Sequence, residues 1–269
     1  MKPTKVIAED KSHNAPLRQF TISGKRYEIG HQIGRGAYSS VHTVKAQKGR
    51  SLVVKVYSPK TRSMVWKHEA SMLRKFSSPW TVALHAAFEY KGQGYLLMDH
   101  GGVPIGRCIF ENDRARIAKH VARYLLAGLQ LFHSKGYVHN DISPQNVLVN
   151  IRENHILGAV KIIDLAFLDS IQDADLSKAP VALWMPPPEY LDNGPKNRTS
   201  ATDVFHAALV LMQIARGDTL EYTSSDIIAN QPAKDASSSK HSFVNKLASS
   251  LNVDPIKRPT ADELWRLLV

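Results

Sequence analysis

One stretch constrains this chain more than any other. It runs Tyr137-Val138-His139-Asn140-Asp141-Ile142-Ser143-Pro144-Gln145-Asn146-Val147-Leu148-Val149 and is followed by Lys161-Ile162-Ile163-Asp164. Asp141 and Asn146 stand five residues apart in a loop, and Asp164 comes eighteen residues later, after an apolar β-like run. Asp141 could accept a hydroxyl proton, while Asn146 and Asp164 supply oxygen ligands for a hard divalent ion such as Mg²⁺. A lone Asp-Ile-Ser-Pro would be an ordinary turn, and His139 alone a packed histidine. The order of all the elements sets the segment apart.

With 269 residues, 43% of them hydrophobic, the chain can bury one large core or two apposed smaller lobes. Its formal charge of +11 favours anionic partners: nucleotides, nucleic acid, acidic proteins or a membrane surface. Residues 1–26 carry Lys2, Lys5, Lys11, Arg18, Lys25 and Arg26 against Glu9 and Asp10, and read as a flexible basic extension that could dock an acidic partner. Nucleic acid is not the expected partner, because neither an aromatic-interleaved basic patch nor a zinc spacing is present. Cys108 is the only cysteine, which excludes an internal disulfide framework and suits a reducing compartment; it reads as a packing residue. No apolar run approaches the ~20 residues of a membrane span, and the N-terminus lacks the apolar core of a signal peptide. A cytoplasmic location is expected.

From Tyr27 to about Met98 short β-like runs dominate: Tyr27–Ile33, Ser39–Ala46, Leu52–Tyr57 and Tyr95–Met98. One helix interrupts them at Ser63–Phe76, where Val65, Glu69 and Leu73 share an i, i+4 row and so place an acid on an inward face. Beyond Gly101-Gly102 the pattern turns helical. Asp113–Lys135 carries an apolar stripe and ends before Gly136; another helix is expected at about Thr202–Ala215, whose run Ala207–Ala215 is almost wholly apolar and suited to the centre of a helical lobe. The polar stretch Thr223–Ser242 reads as a surface loop with one helical turn.

Ile33-Gly34-Arg35-Gly36-Ala37-Tyr38-Ser39-Ser40-Val41 lies between two β-like runs. Glycines at such a tip let backbone N–H groups approach phosphate oxygens, although a Gly-rich hairpin alone is more often just a turn. A following strand, rather than a helix, disfavours a dinucleotide site. Lys55 stands in the apolar run Leu52–Tyr57, where an ammonium is costly to desolvate without an anion, and Glu69 is the candidate partner.

Taken together these residues resemble the eukaryotic-type protein kinase superfamily over about residues 27–269. The resemblance implies an α+β, two-lobed fold, with a β-rich N-lobe at 27–100 that binds ATP and a helical C-lobe at 101–269 for catalysis and substrate. It implies Asp141 as catalytic base, Lys55 as the phosphate-binding lysine and Glu69 as its helix partner. Asn146 and Asp164 would be the metal ligands, for Mg²⁺ or alternatively Mn²⁺. Nucleotide contacts would come from Ile33, Gly34, Gly36, Val41 and Val53 on the β side, and from Met98 as gatekeeper with Asp99 and His100 in the hinge. Pro187-Pro188-Glu189 stands where the family has Ala-Pro-Glu, and Asp254–Thr260 resembles its late Asp-x-x-x-Arg-Pro-Thr segment, implying a Glu189–Arg258 ion pair. Asp203 matches the aspartate that braces the catalytic loop.

Five positions depart from the pattern. Ser39 replaces the third loop glycine. Asn140 stands where the family has the arginine that receives an activation-loop phosphate, so activation through that loop is not expected, although Ser170 and Ser177 lie in it. Asp164-Leu165-Ala166 replaces Asp-Phe-Gly, and Ala166 penalises any φ > 0 state, which implies a loop less able to switch. Ser143 and Ala182 occupy positions where Ser/Thr kinases carry a lysine and a threonine. Three readings remain open: an ATP-dependent protein kinase acting on Ser or Thr of a protein substrate; a small-molecule or RIO-like phosphotransferase; and a pseudokinase scaffold.

Overall fold

The computed structural model describes residues 6–8, 17–46, 51–152, 155–170, 184–193 and 199–269. They fall into two compact units, Met1–Ser78 with Val82–Gly101, and Pro79–Thr81 with Gly102–Val269.

Among the described residues, the first unit is one antiparallel sheet with a single helix. Its strands are β1 (Val6–Ala8), β2 (Gln19–Ile22), β3 (Lys25–Arg35), β4 (Ser39–Ala46) and β5 (Leu52–Tyr57), then β6 (Leu84–Tyr90) and β7 (Gln93–Asp99), with α1 (Ser63–Lys75) between β5 and β6. In space they run β1-β2-β3-β4-β5-β7-β6. The two-residue period of a strand divides β5 between two faces. Leu52 and Val54 join Phe20, Val44, Phe88, Tyr95 and Leu97 in the core of the curled sheet. There Phe20 stacks on Tyr27 and Phe88 on Tyr95, with ring centroids 5.3 and 5.1 Å apart. Val53, Lys55 and Tyr57 point the other way, and the carboxylate of Glu69 on α1 meets the last two.

Part of the segment expected to be a flexible extension belongs to this sheet. Leu17, Phe20 and Ile22 are buried, and β2 pairs with β3 from Gln19↔Glu28 to Ile22↔Lys25. The basic residues that suggested an extension, Arg18, Lys25 and Arg26, are exposed while the apolar residues between them turn inward. Residues 1–5 and 9–16 lie outside the described residues.

The second unit is mainly helical. It comprises β8 (Val103–Pro104), α2 (Arg114–His133), β9 (Tyr137–Val138), β10 (Val147–Arg152), β11 (His155–Ile162) and β12 (Asp169–Ser170). Helices α3 (Pro188–Asn193), α4 (Ser200–Arg216), α5 (Ser224–Ile228), α6 (Gln231–Ser237), α7 (Ser242–Asn245) and α8 (Ala261–Leu268) follow. Thr202 through Met212 of α4 are all buried, as befits a helix that is apolar nearly all round. A capping box at Thr199 and Thr202 starts it, and Gly217, in the left-handed conformation at φ 77°, ends it. Helix α2 turns Ile117, Val121, Leu125, Leu129 and Phe132 inward and packs on α4 and α8.

Between Thr223 and Ser242 the expected single turn is replaced by two helices, α5 and α6. Thr223 and Asp226 form a capping box, Pro232 sits in the first turn of α6, and Ile227, Ala233 and Ala236 are buried, which is apolar content enough to anchor both. Among the described residues no helix is long and apolar enough to cross a membrane.

Candidate active site

In the first unit, strand register gathers five of the expected nucleotide residues, Gly34, Val41, Val53, Lys55 and Met98, on one face of the sheet. Val41 is opposite Lys55, Val53 opposite Met98, and Gly34 opposite Val41, and directly opposed residues share a face. Lys55 is 6% exposed, and its Nζ donates to both carboxylate oxygens of Glu69 at 2.8 and 3.0 Å. Glu69 is 1% exposed and also accepts from the hydroxyl of Tyr57, whose ring lies 5.2 Å from the Lys55 ammonium. Burial makes each charge depend on its partner: together they are satisfied, and either alone would be stranded.

Gly34 and Gly36 adopt no left-handed φ. A Cβ built on Gly34 would meet only Val41, at 3.7 Å, and one on Gly36 only the Ser39 carbonyl, at 3.9 Å. Nothing in the folded chain therefore requires glycine at this tip, where Gly36 N–H donates to Ser39 O at 2.8 Å. At the far edge, the N–H groups of Asp99 and His100 donate to Ala83 O and Ser51 O at 3.0 and 2.9 Å, so a ligand cannot use either without breaking a bond. The Asp99 carboxylate meets His85 Nε2 at 2.7 Å.

In the second unit, β10 and β11 form an antiparallel hairpin between Asn146 and Asp164. Val147 pairs with Ile162, and Ile163 N–H donates to Asn146 O at 3.0 Å, which brings Asn146 beside the Ile163–Asp164 backbone. Asn146 Nδ2 donates to the Asp141 carbonyl and to its Oδ2, both at 2.8 Å. One amide thus orients the carboxylate of the candidate base, and the carboxamide oxygen is the atom left to serve as a ligand. Among the described residues no group of three or more His, Cys, Asp or Glu could form an all-protein metal cage. An Asn and an Asp at adjacent strand ends fit a hard ion that keeps water or phosphate as its remaining ligands.

Asp203, near the start of α4, holds this loop from beneath. Its carboxylate accepts the backbone N–H of His139 at 2.8 Å, that of Asn140 at 3.0 Å, and Nε2 of His133 at 2.9 Å. Burial would raise its pKa, but these bonds outweigh that and hold it below the usual carboxylate value. His139 is fully buried; burial pushes its pKa below the ordinary histidine value, against the pull of Asp203 and Asp164. The neutral ring accepts from Asp141 N–H through Nδ1 at 3.3 Å and donates from Nε2 to Ile163 O at 3.1 Å.

The expected Glu189–Arg258 pair is present and buried. Arg258 donates to both Glu189 oxygens at 3.0 and 2.7 Å, and to the carbonyls of Ala201 and Asn252, with the Phe205 ring 4.8 Å from its guanidinium carbon.

The protein kinase domain model matches residues 27–267. The chain belongs to the protein kinase family. Its α+β architecture, a curled sheet unit and a helical unit, is the two-lobed protein kinase fold. Similar proteins include the serine/threonine-protein kinase ATG1a of Arabidopsis thaliana, 26% identical over 71% of this chain and 31% of that protein. Mouse citron Rho-interacting kinase is 27% identical over 66% of the chain and 9% of its own length, and mouse myotonin-protein kinase 28% over 64% and 28%. The chain thus spans under a third of the length of these relatives.

Within this kinase fold, three residues make contacts not expected from the sequence. Tyr57 shares a strand face with Lys55, a signal legible two residues away. His133 and Asn140 carried none, because their partners Asp203 and Phe167 lie far along the chain. In the turn Leu165–Phe167 the left-handed conformation falls on Asp164, at φ 63°, rather than on Ala166. Cys108 is half-buried with its thiol toward Pro104 O, and burial raises its pKa, in keeping with a packing role. Ser177 and Ala182 lie outside the described residues.

Proposed function

We propose that this protein kinase domain is an active MgATP-dependent serine/threonine protein kinase that does not depend on phosphorylation of its activation loop. The observation that carries the proposal is the bond from Asn146 Nδ2 to Asp141 Oδ2, at the end of a hairpin that sets Asn146 beside Asp164. It supports a base whose carboxylate is aimed by the same side chain that offers a metal ligand. MgATP, when bound, supplies the phosphoryl group and neutralises its charge. Asp141 orients and deprotonates the acceptor hydroxyl. Asn146 and Asp164 would hold the ion. Lys55, fixed by Glu69 and Tyr57, presents its ammonium to phosphate, and Gly34 and Gly36 put no Cβ in the way of a phosphate approaching the backbone of the tip. Val41, Val53 and Met98 would form the apolar wall for the base. A protein acceptor is favoured over a small molecule by the buried Glu189–Arg258 pair, an element that small-molecule kinases of related logic generally lack.

The test is mass spectrometry of the protein after incubation with MgATP, beside the Asp141→Asn variant. Phosphate on Ser or Thr of the wild type and none on the variant is expected. Equal incorporation would remove Asp141 from its role. Nucleotide-induced thermal stabilisation with no phosphate on protein or metabolite acceptors would make the domain a binding module, and transfer to metabolites alone would make it a small-molecule kinase.

A further inference from the structure

His139 and Asn140 grip the Asp164 turn from both sides. His139 Nε2 donates to Ile163 O, just before Asp164, and Asn140 Nδ2 donates to Phe167 O, just after it, at 3.1 and 2.7 Å. The same Asn140 amide also donates to Val138 O at 3.1 Å, in the strand that pairs with β12 through Val138↔Asp169. Phe167 is the last residue of the turn Leu165–Phe167, and Leu168 N–H closes that turn on Leu165 O. Asn140 is 3% exposed and left-handed at φ 69°, a conformation asparagine enters more cheaply than most residues. Its Oδ1 is buried without a partner, so the side chain is held by its two donor bonds alone. The NH₂ of this neutral carboxamide, shared between two carbonyls, completes the link with no added charge.

We infer that Asn140 is a positioning residue: its carboxamide clamps the turn that carries Asp164 to the loop that carries Asp141. The geometry of Asp141, Asn146 and Asp164 is then set inside the chain, without a phosphate on Ser170 or Ser177. The inference rests on the kinase reading for its effect on catalysis, and on geometry alone for its effect on the turn.

The test compares phosphatase-treated wild type with Asn140→Gly, which keeps the left-handed backbone and the bond to Asp203, and with Asn140→Asp, which sets carboxylate oxygens against two carbonyls. Hydrogen exchange at Leu165–Ser170 should quicken about tenfold or more in both variants. With MgATP and casein as acceptor probe, kcat should fall about ten- to a hundredfold while KM for ATP stays within about threefold. A Ser170→Ala/Ser177→Ala protein should keep kcat within about threefold of wild type. Unchanged exchange in Asn140→Gly, or unchanged kcat, would overturn the clamp, and loss of activity on dephosphorylation would overturn its independence of phosphate. If the wild type transfers no phosphate, the kinase reading falls and the exchange measurement still decides the clamp.

Discussion

Arg258 shows what a single buried charge demands. Its guanidinium is bonded to a carboxylate and to backbone carbonyls on two sides, with an aromatic ring against one face. A lysine could match the charge but not the fork of five donors. Arg258→Lys should therefore destabilise the protein by about 2–4 kcal/mol in urea unfolding, through donors lost and carbonyls left unpaired. A loss below about 0.5 kcal/mol would mean the pair contributes only charge. Lys55 follows the same logic, and there the sequence was informative. A lysine inside an apolar strand and a glutamate on an inward helical row are each costly alone, so their pairing could be read from fourteen residues apart. The Tyr57 hydroxyl on the same carboxylate was not anticipated, although its place on the Lys55 face and the need of a buried hydroxyl for a partner both point to it.

At the scale of elements, β2 is the instructive case. Its short run Gln19–Ile22 is flanked by basic residues and has too little periodicity to stand out, yet Phe20 is completely buried between Tyr27 and Phe88. Phe20→Ala should cost about 3–5 kcal/mol, measured by urea unfolding, and deletion of residues 1–26 should lower the melting temperature sharply. If that deletion left the melting temperature unchanged, β2 would be no part of the stabilising core. Strands β3, β4, β5 and β7 were legible as short β-branched and apolar runs broken by glycine, with β5 and the Tyr95–Met98 part of β7 almost continuously apolar because both their faces are buried. Strand β6, Leu84–Tyr90, carries alanine at Ala86 and Ala87 with His85 between apolar neighbours, and its pairing with β7 gives it a strand identity that propensity alone does not. Helix α4 was the easiest, since a long apolar run fits only the middle of a helical lobe.

For the whole molecule, acid stability follows from histidines buried without charge. His206 donates from Nε2 to Met185 O at 2.9 Å and keeps Nδ1 unpartnered, and burial lowers its pKa against the pull of Asp203 and Glu189 and with the repulsion of Arg258. The unfolded chain takes up this proton near the ordinary value of 6.5, while the folded chain resists it to lower pH. Below that value the unfolded state binds more protons, so stability falls on acidification, with a slope of up to about 1.4 kcal/mol per pH unit for each such histidine. His206→Gln, which keeps a donor for Met185 O, should flatten the decline of unfolding free energy between pH 6.5 and 5, and an unchanged slope would place its origin elsewhere.

From sequence came the chemistry of the candidate site and the character of both units, because Lys55, Asp141, Asn146 and Asp164 sit in local patterns that make sense within a few residues. Tertiary structure decided what surrounds them. Asp203 reaches the backbone of His139 and Asn140 across more than sixty residues, and Asn140 reaches Phe167 across twenty-seven. Such bonds leave no periodic trace, since they depend on where a donor ends up and not on the residue types beside it. The motifs named the reacting groups and, in Glu69 and Asp203, two of their supports; only the folded chain determined which atoms those supports hold and that His133 and Asn140 join them.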